Sequence, residues 1–203
     1  MLTILNYGMG NLRSVQNAFT YLGTPSRIVE DPAVIASSER IVLPGVGSFA
    51  RAMQNIKKRG LGEALKEAAN GGSAILGICL GMQLLATAGE EDGNSEGLGL
   101  ISGRVVRMQP KNGLKVPHIG FNTLNCRQSH GGIFARLDEG SDFYFLHSYQ
   151  FVPEQSEAII GSCEYGGDVV CAVRKDRIVG VQFHPEKSQN NGLRLLRNFL
   201  DYF

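Results

Sequence analysis

Hydrophobic and polar positions along the first half of the chain alternate between two periods. Leu2 to Asn6 is a short apolar run that reads as a strand. Leu12, Val15, Ala18, Phe19 and Leu22 then recur at three- and four-residue steps, the apolar face of a helix that Gly23 ends. Ser26 to Glu30 and Arg40 to Leu43 are the next predicted strands. Ala50 to Lys58 and Leu61 to Ala69 are predicted helices separated at Gly60, and Ala74 to Ile78 is a strand apolar on both faces. Strands alternating with helices in this way predict a parallel sheet covered by helices on both sides. After Gly97 the pattern changes to closely spaced strand-like runs at Val105 to Met108, Phe143 to Leu146, Ala158 to Ile160, Val169 to Val173 and Ile178 to Phe183. The polar stretch Arg174-Lys175-Asp176-Arg177 between two of them has the character of a hairpin loop, so part of the sheet should be antiparallel. A last helix, Gly192 to Phe203, aligns Leu193, Leu196 and Leu200. The expected fold is α/β: three layers, α/β/α, around a mostly parallel sheet with an additional antiparallel region.

Composition narrows the class. A chain of 203 residues, 43% of them hydrophobic, can bury the core of a single domain spanning residues 1–203. Twenty Lys and Arg against nineteen Asp and Glu leave almost no net charge and no basic run to follow a phosphate backbone, which argues against nucleic acid as a partner. The amino terminus lacks a basic region followed by a long apolar one, and the most apolar window, Ala74 to Gly89, is interrupted by glycines and Gln83. A soluble, cytoplasmic protein without membrane contact is expected. The cysteines, Cys79, Cys126, Cys163 and Cys171, form no Cys-x-x-Cys pair and have no histidine at zinc-finger spacing, so neither a structural metal nor a disulfide framework is indicated, and no cofactor is expected. Gly8-Met9-Gly10 has the start of a dinucleotide loop, but Arg13 occupies the third glycine's place, which excludes that reading.

The chemistry gathers around Cys79. Gly77-Ile78-Cys79-Leu80-Gly81 follows a predicted strand and opens a predicted helix, the G-x-S-x-G elbow pattern with sulfur in place of oxygen. Such a turn exposes its central residue, and the free amides at the start of the following helix favour thiolate over thiol. A cysteine in an apolar run is also a common core residue, so the elbow needs a base. His184, in Phe183-His184-Pro185-Glu186, follows a predicted strand, and Glu186 lies two residues on, able to orient the imidazole. Cys79, His184 and Glu186 thus supply nucleophile, base and orienting acid for acyl transfer. Pro44-Gly45-Val46-Gly47 is a glycine-rich turn able to aim an amide at a neighbouring strand's end, and the Leu80 amide is a natural second oxyanion donor.

These motifs resemble the class I glutamine amidotransferases, and among them the glutaminase subunits of imidazole glycerol phosphate synthases. The resemblance spans nearly the whole chain. It is carried by "GICLGMQLL" at Gly77 to Leu85, "PGVGSF" from Pro44, "FHPEKS" from Phe183, "NYGMGNLRSV" at Asn6 to Val15, "VPHIGFN" at Val116 to Asn122, "FLHSY" at Phe145 to Tyr149 and "EKSQNNGLRLLRNF" at Glu186 to Phe199. It implies hydrolysis of L-glutamine to glutamate through a cysteinyl thioester, with the ammonia passed to a (β/α)8-barrel cyclase in a heterodimer serving histidine biosynthesis. By matching position it makes Cys79 the nucleophile, His184 the base and later acid, and Glu186 its support. It assigns substrate contacts to Gln83, Glu91, Ser148 and Tyr149, the oxyanion site to Gly47 with Leu80, and the docking surface to Asn11, His118, Phe121, Asn122, Tyr144 and Lys187. Phe121 is a departure, since the family's usual residue there is tryptophan; phenylalanine keeps the ring but loses the indole N–H donor. Three alternatives stay open from the sequence: a different acceptor such as a synthase aminating a surface sugar, a free-standing cysteine hydrolase, and a non-catalytic module of the same fold.

Overall fold

The computed structural model describes residues 1–127 and 132–203. An eight-stranded sheet forms its centre, in the order Ser26–Val29, Leu2–Leu5, Arg40–Gly45, Ala74–Cys79, Ile178–Val181, Asp168–Lys175, Ile159–Glu164 and Asn125–Cys126. The first five of these strands are mutually parallel, and the last three continue the sheet in antiparallel fashion. The expected α/β class and its antiparallel extension are both present.

Period-2 alternation divides the side chains of the central strands between two cores. Leu2, Ile4, Val42, Leu76 and Val179 face one side, packed under the helices Leu12–Tyr21 and Gln189–Tyr202. Leu5, Ile41, Leu43 and Ile75 face the other, under the helices Phe49–Lys58 and Leu61–Asn70. A strand apolar on both faces can satisfy itself only inside such a sandwich, which is why Ala74–Cys79 is buried at every position. The Arg174–Arg177 stretch turns a hairpin, with Lys175 paired to Ile178.

Several boundaries differ from the sequence expectation. Pro44 and Gly45 belong to the strand rather than to the turn, pairing with Ile78 and Cys79. The neighbouring strand's pairing ends at Ile4 with Val42, so the missing N–H of Pro44 interrupts no ladder on that side. The final helix begins at Gln189, three residues before Gly192. The strands His118–Thr123 and Tyr149–Pro153 are additions: the first pairs with Asp142–His147 in a two-stranded ribbon, the second with Gly103–Arg107 in a small four-stranded sheet. Among the described residues no helix is long and apolar enough to cross a membrane.

Candidate active site

The parallel register brings three segments to one edge of the sheet. Gly45 lies beside Cys79, and Val181 beside Ile78, so the chain leaving each strand emerges next to the strand end that carries Cys79. Open α/β sheets carry their ligands at this carboxyl edge. A cavity of about 370 Å3 opens there, lined by residues that include Gly47, Cys79, Leu80, Gln83, Glu91, Ser148, Tyr149 and His184. All the residues expected to form the oxyanion and substrate sites therefore share one pocket with Cys79.

Cys79 sits at φ 54° and ψ −111°, a conformation that only a strongly over-determined turn imposes on a residue with a side chain. What over-determines it is contact between backbones. A Cβ on Gly77 would stand 2.6 Å from the Gly81 carbonyl oxygen, and a Cβ on Gly81 only 1.7 Å from that of Leu43. With hydrogen at both positions, the strand Ala74–Cys79 can fold straight into the five-residue helix Leu80–Leu84 and press it against the adjacent strand. The Leu80 amide, in the first turn of that helix, has no intrahelical acceptor.

His184 is held by its backbone: its N–H donates to the Tyr144 carbonyl at 2.8 Å, and its carbonyl accepts from the Ser188 hydroxyl at 2.7 Å. Beneath it Phe183 stacks on Phe143 at 4.1 Å and meets Phe145 edge-on, contacts worth roughly 0.5–1.5 kcal/mol each beyond their burial. Its Nδ1–H donates to Glu186 Oε1 at 2.7 Å, and both side chains are only 2% exposed. That bond leaves Nε2 buried, without a hydrogen-bond partner among the described residues, at the wall of the cavity that Cys79 also lines. Burial disfavours the charged ring, but Cys79 and Glu186 together outweigh it and raise the His184 pKa from 6.5 to about 10. An imidazolium beside the sulfur is the partner a thiolate requires.

This shift has a pH signature. Because the folded pKa is the higher one, the stabilisation drawn from the charged ring is complete below about pH 6.5 and is lost as pH rises through about 10. Glu186→Gln should melt below the parent at neutral pH, and thermal melts of the two proteins should converge as pH approaches 10. A constant gap across that range would show that Glu186 stabilises the fold by other means.

Glu91 is half-buried, and its Oε2 accepts from the Phe49 amide at 2.9 Å; burial raises its pKa. Gln83 is buried, and both hydrogens of its amide are committed, to the Tyr149 carbonyl and to Gln182 Oε1, each at 3.0 Å. Only its oxygen is left for a substrate. Sequence reasoning missed Gln182 itself, which is fully buried and donates to Cys79 Sγ at 3.8 Å, and the Leu146 carbonyl, which accepts from the thiol at 3.7 Å. Tyr7 was missed as well: its buried hydroxyl has no partner among the described residues, and burial and then Cys79 push its pKa upward.

The residues expected at a docking surface divide. Phe121 is 52% exposed and meets Tyr144 edge-on at 5.6 Å, while the Lys187 ammonium lies over the same Tyr144 ring at 5.7 Å. Asn11 is exposed at the start of the helix Leu12–Tyr21, which packs near the Pro185–Lys187 turn. His118 departs from the expectation: it is only 2% exposed, stacked between Phe145 and Tyr165 and bonded to His147, so it offers no surface of its own. The physical reason is strand alternation, which turns His118 inward while Ile119 and Phe121 point out. Asn122 is partly buried, donating to the Glu164 carbonyl and to His118.

Residues 3–202 match the family model for the class I glutamine amidotransferases. The chain belongs to this family. Among class I amidotransferases it is 45% identical over 198 residues to the imidazole glycerol phosphate synthase subunit HisH of Moorella thermoacetica, covering 98% of this chain and 93% of that one. It is 46% identical over 206 residues to the HisH subunit of Syntrophotalea carbinolica, covering 99% and 100%. Solved structures share the fold at low identity. A crystal structure of a glutamine amidotransferase superposes with a TM-score of 0.75 at 20% identity, over 99% of this chain and 97% of that one, and PurLQS of Thermotoga maritima with 0.73 at 18%, over the same shares.

Proposed function

We propose that this chain is the glutaminase subunit of an imidazole glycerol phosphate synthase, with Cys79, His184 and Glu186 as its catalytic residues. The observation that carries this is a strained cysteine and a Glu186-bound histidine lining one cavity, in a chain related over its full length to HisH subunits. In the first half-reaction the thiolate attacks the side-chain amide carbon of glutamine, and the oxygen that gains charge is stabilised by the amides of Leu80 and Gly47. His184 gives its Nε2 proton to the departing ammonia, leaving a thioester. It then takes a proton from water, which attacks the thioester and releases glutamate. Glu91 supplies the negative charge for the substrate's α-ammonium, and Ser148 and Tyr149 complete the pocket.

The ammonia acceptor is a barrel cyclase seated on the face of Phe121, Tyr144 and Lys187. The resemblance implies that the oxyanion site of Gly47 and Leu80 is completed only on docking, which would leave the isolated subunit slow. Adding the cyclase with its ligand should raise glutamate release by a factor on the order of 10² or more, the worth of one oxyanion donor. A lone subunit already at full rate would overturn the gating, and absence of any complex with the cyclase would assign the ammonia to another synthase. Lys187→Ala should weaken the complex while leaving the melting temperature within about 2 °C of the parent, as expected for an exposed charge. Unchanged affinity in a titration would remove Lys187 from the interface.

A further inference from the structure

Gln182 is an uncharged amide with no exposed surface, in the position where the strand Ile178–Val181 gives way to the His184 turn. Burying an amide costs free energy unless its hydrogen bonds are made, and a leucine would fill the same volume without that demand. Both polar contacts of its side chain lie beside Cys79: its Oε1 accepts from Gln83 and its Nε2 donates to Cys79 Sγ.

The direction of these bonds is not a matter of choice between oxygen and nitrogen. The Tyr149 carbonyl can only accept, so the Gln83 group 3.0 Å from it is the NH2. The second hydrogen of that NH2 meets Gln182 at 3.0 Å, so the Gln182 atom there is oxygen, and its own NH2 is turned to the sulfur. The same carbonyl sets a second branch. It accepts from His147 Nδ1 at 2.8 Å, so His147 Nε2 is an acceptor, His118 Nδ1 donates to it at 3.0 Å, and His118 Nε2 accepts from Asn122 at 3.3 Å. Burial pushes both rings down to about 4, so neither carries charge at neutral pH and both tautomers are fixed.

We propose that Gln182 is a hydrogen-bond donor to the Cys79 thiolate, and that Gln83 and the Tyr149 carbonyl are the positioning groups that keep its N–H, rather than its oxygen, facing the sulfur. This deepens the glutaminase reading, since it adds a group that stabilises the charged nucleophile before substrate arrives. A donor to an anion strengthens with the anion's charge, whereas an acceptor in the same place opposes it. Gln83 then has two functions, one toward the pocket through its oxygen and one toward the sulfur through Gln182.

Alkylation of Cys79 by iodoacetamide reports thiolate directly and needs neither glutamine nor a partner. The full chain is used in a Cys126→Ser background, because Cys126 is the exposed cysteine, and modification is read on the Cys79 peptide by mass spectrometry. Gln182→Leu should slow alkylation at pH 7 by about 10-fold, and kcat of the cyclase complex should fall in parallel with little change in KM. Gln182→Glu, of the same shape, should slow it at least as much and keeps the test alive where the leucine variant does not fold. The discriminating variant is Gln83→Glu, which has no hydrogen to give Gln182 and should turn the Gln182 amide over, slowing alkylation by about the same 10-fold although Gln83 does not touch the sulfur. Parent-like alkylation in folded Gln182→Leu or Gln182→Glu would overturn the proposal, and parent-like alkylation in Gln83→Glu would overturn the positioning. The glutaminase reading fails separately, if Cys79→Ala still turns over glutamine.

Discussion

Cys79→Ala is expected to lower glutamate release by the cyclase complex by about 10⁴-fold or more, with the fold and the complex intact. The sulfur is the atom that would bond to the substrate, and an alanine methyl cannot replace it. The strained backbone at this position is imposed by the Gly81 contact with Leu43 rather than by the sulfur, so the elbow should persist without it. The change removes one atom at the wall of a cavity, and the melting temperature should move by only a few degrees. In the proposed mechanism His184 acts through the sulfur, so the double variant Cys79→Ala, His184→Ala should be no slower than Cys79→Ala alone. Release of glutamate at the parent rate by the single variant would remove the thioester mechanism.

Gly81→Ala is the substitution expected to damage the fold most. A methyl 1.7 Å from the Leu43 carbonyl oxygen and 2.8 Å from its carbon overlaps the backbone of the adjacent strand, and the helix cannot keep its place against that strand. The expected cost is more than about 4 kcal/mol, seen as a melting temperature lower by about 10 °C or more, or as failure to accumulate soluble protein. Gly23→Ala provides the comparison. Gly23 also has positive φ, but a Cβ there meets nothing within 4 Å, so the loss should be only about 1–2 kcal/mol from backbone strain. Equal stability of the two variants would show that the close approach at Gly81 is not what shapes the elbow.

The elbow was legible in the sequence because its cause is local: two glycines, a cysteine and an apolar run lie within a few residues of one another. His184 and Glu186 were legible for the same reason, being two residues apart at a strand's end. Gln182 was not. A glutamine after an apolar run looks like any strand-ending polar residue, and its role depends on contacts with Cys79, 103 positions away in the chain. The strand His118–Thr123 was missed because only His118 is buried among polar, small and outward-facing neighbours, leaving no clear period. The family resemblance, which carries positions and not orientations, put His118 on a surface when its ring is enclosed. Pro44 and Gly45 resembled a turn because their residue types usually make one, and only the pairing with Ile78 and Cys79 shows the strand continuing through them. Local chemistry was visible; the polar network behind it was a property of the folded sheet.

The strand Ile178–Val181 enters the middle of the sheet from the far end of the chain, between Ala74–Cys79 and Asp168–Lys175. During synthesis, therefore, Cys79 emerges from the ribosome long before Gln182, His184 and Glu186, the residues proposed to act with it. Until residues 178–186 have been made and threaded into place, the proposed constellation around Cys79 does not exist. On the proposed assignment the nascent chain would carry no activated sulfur, and assembling the site would be the same event as closing the core.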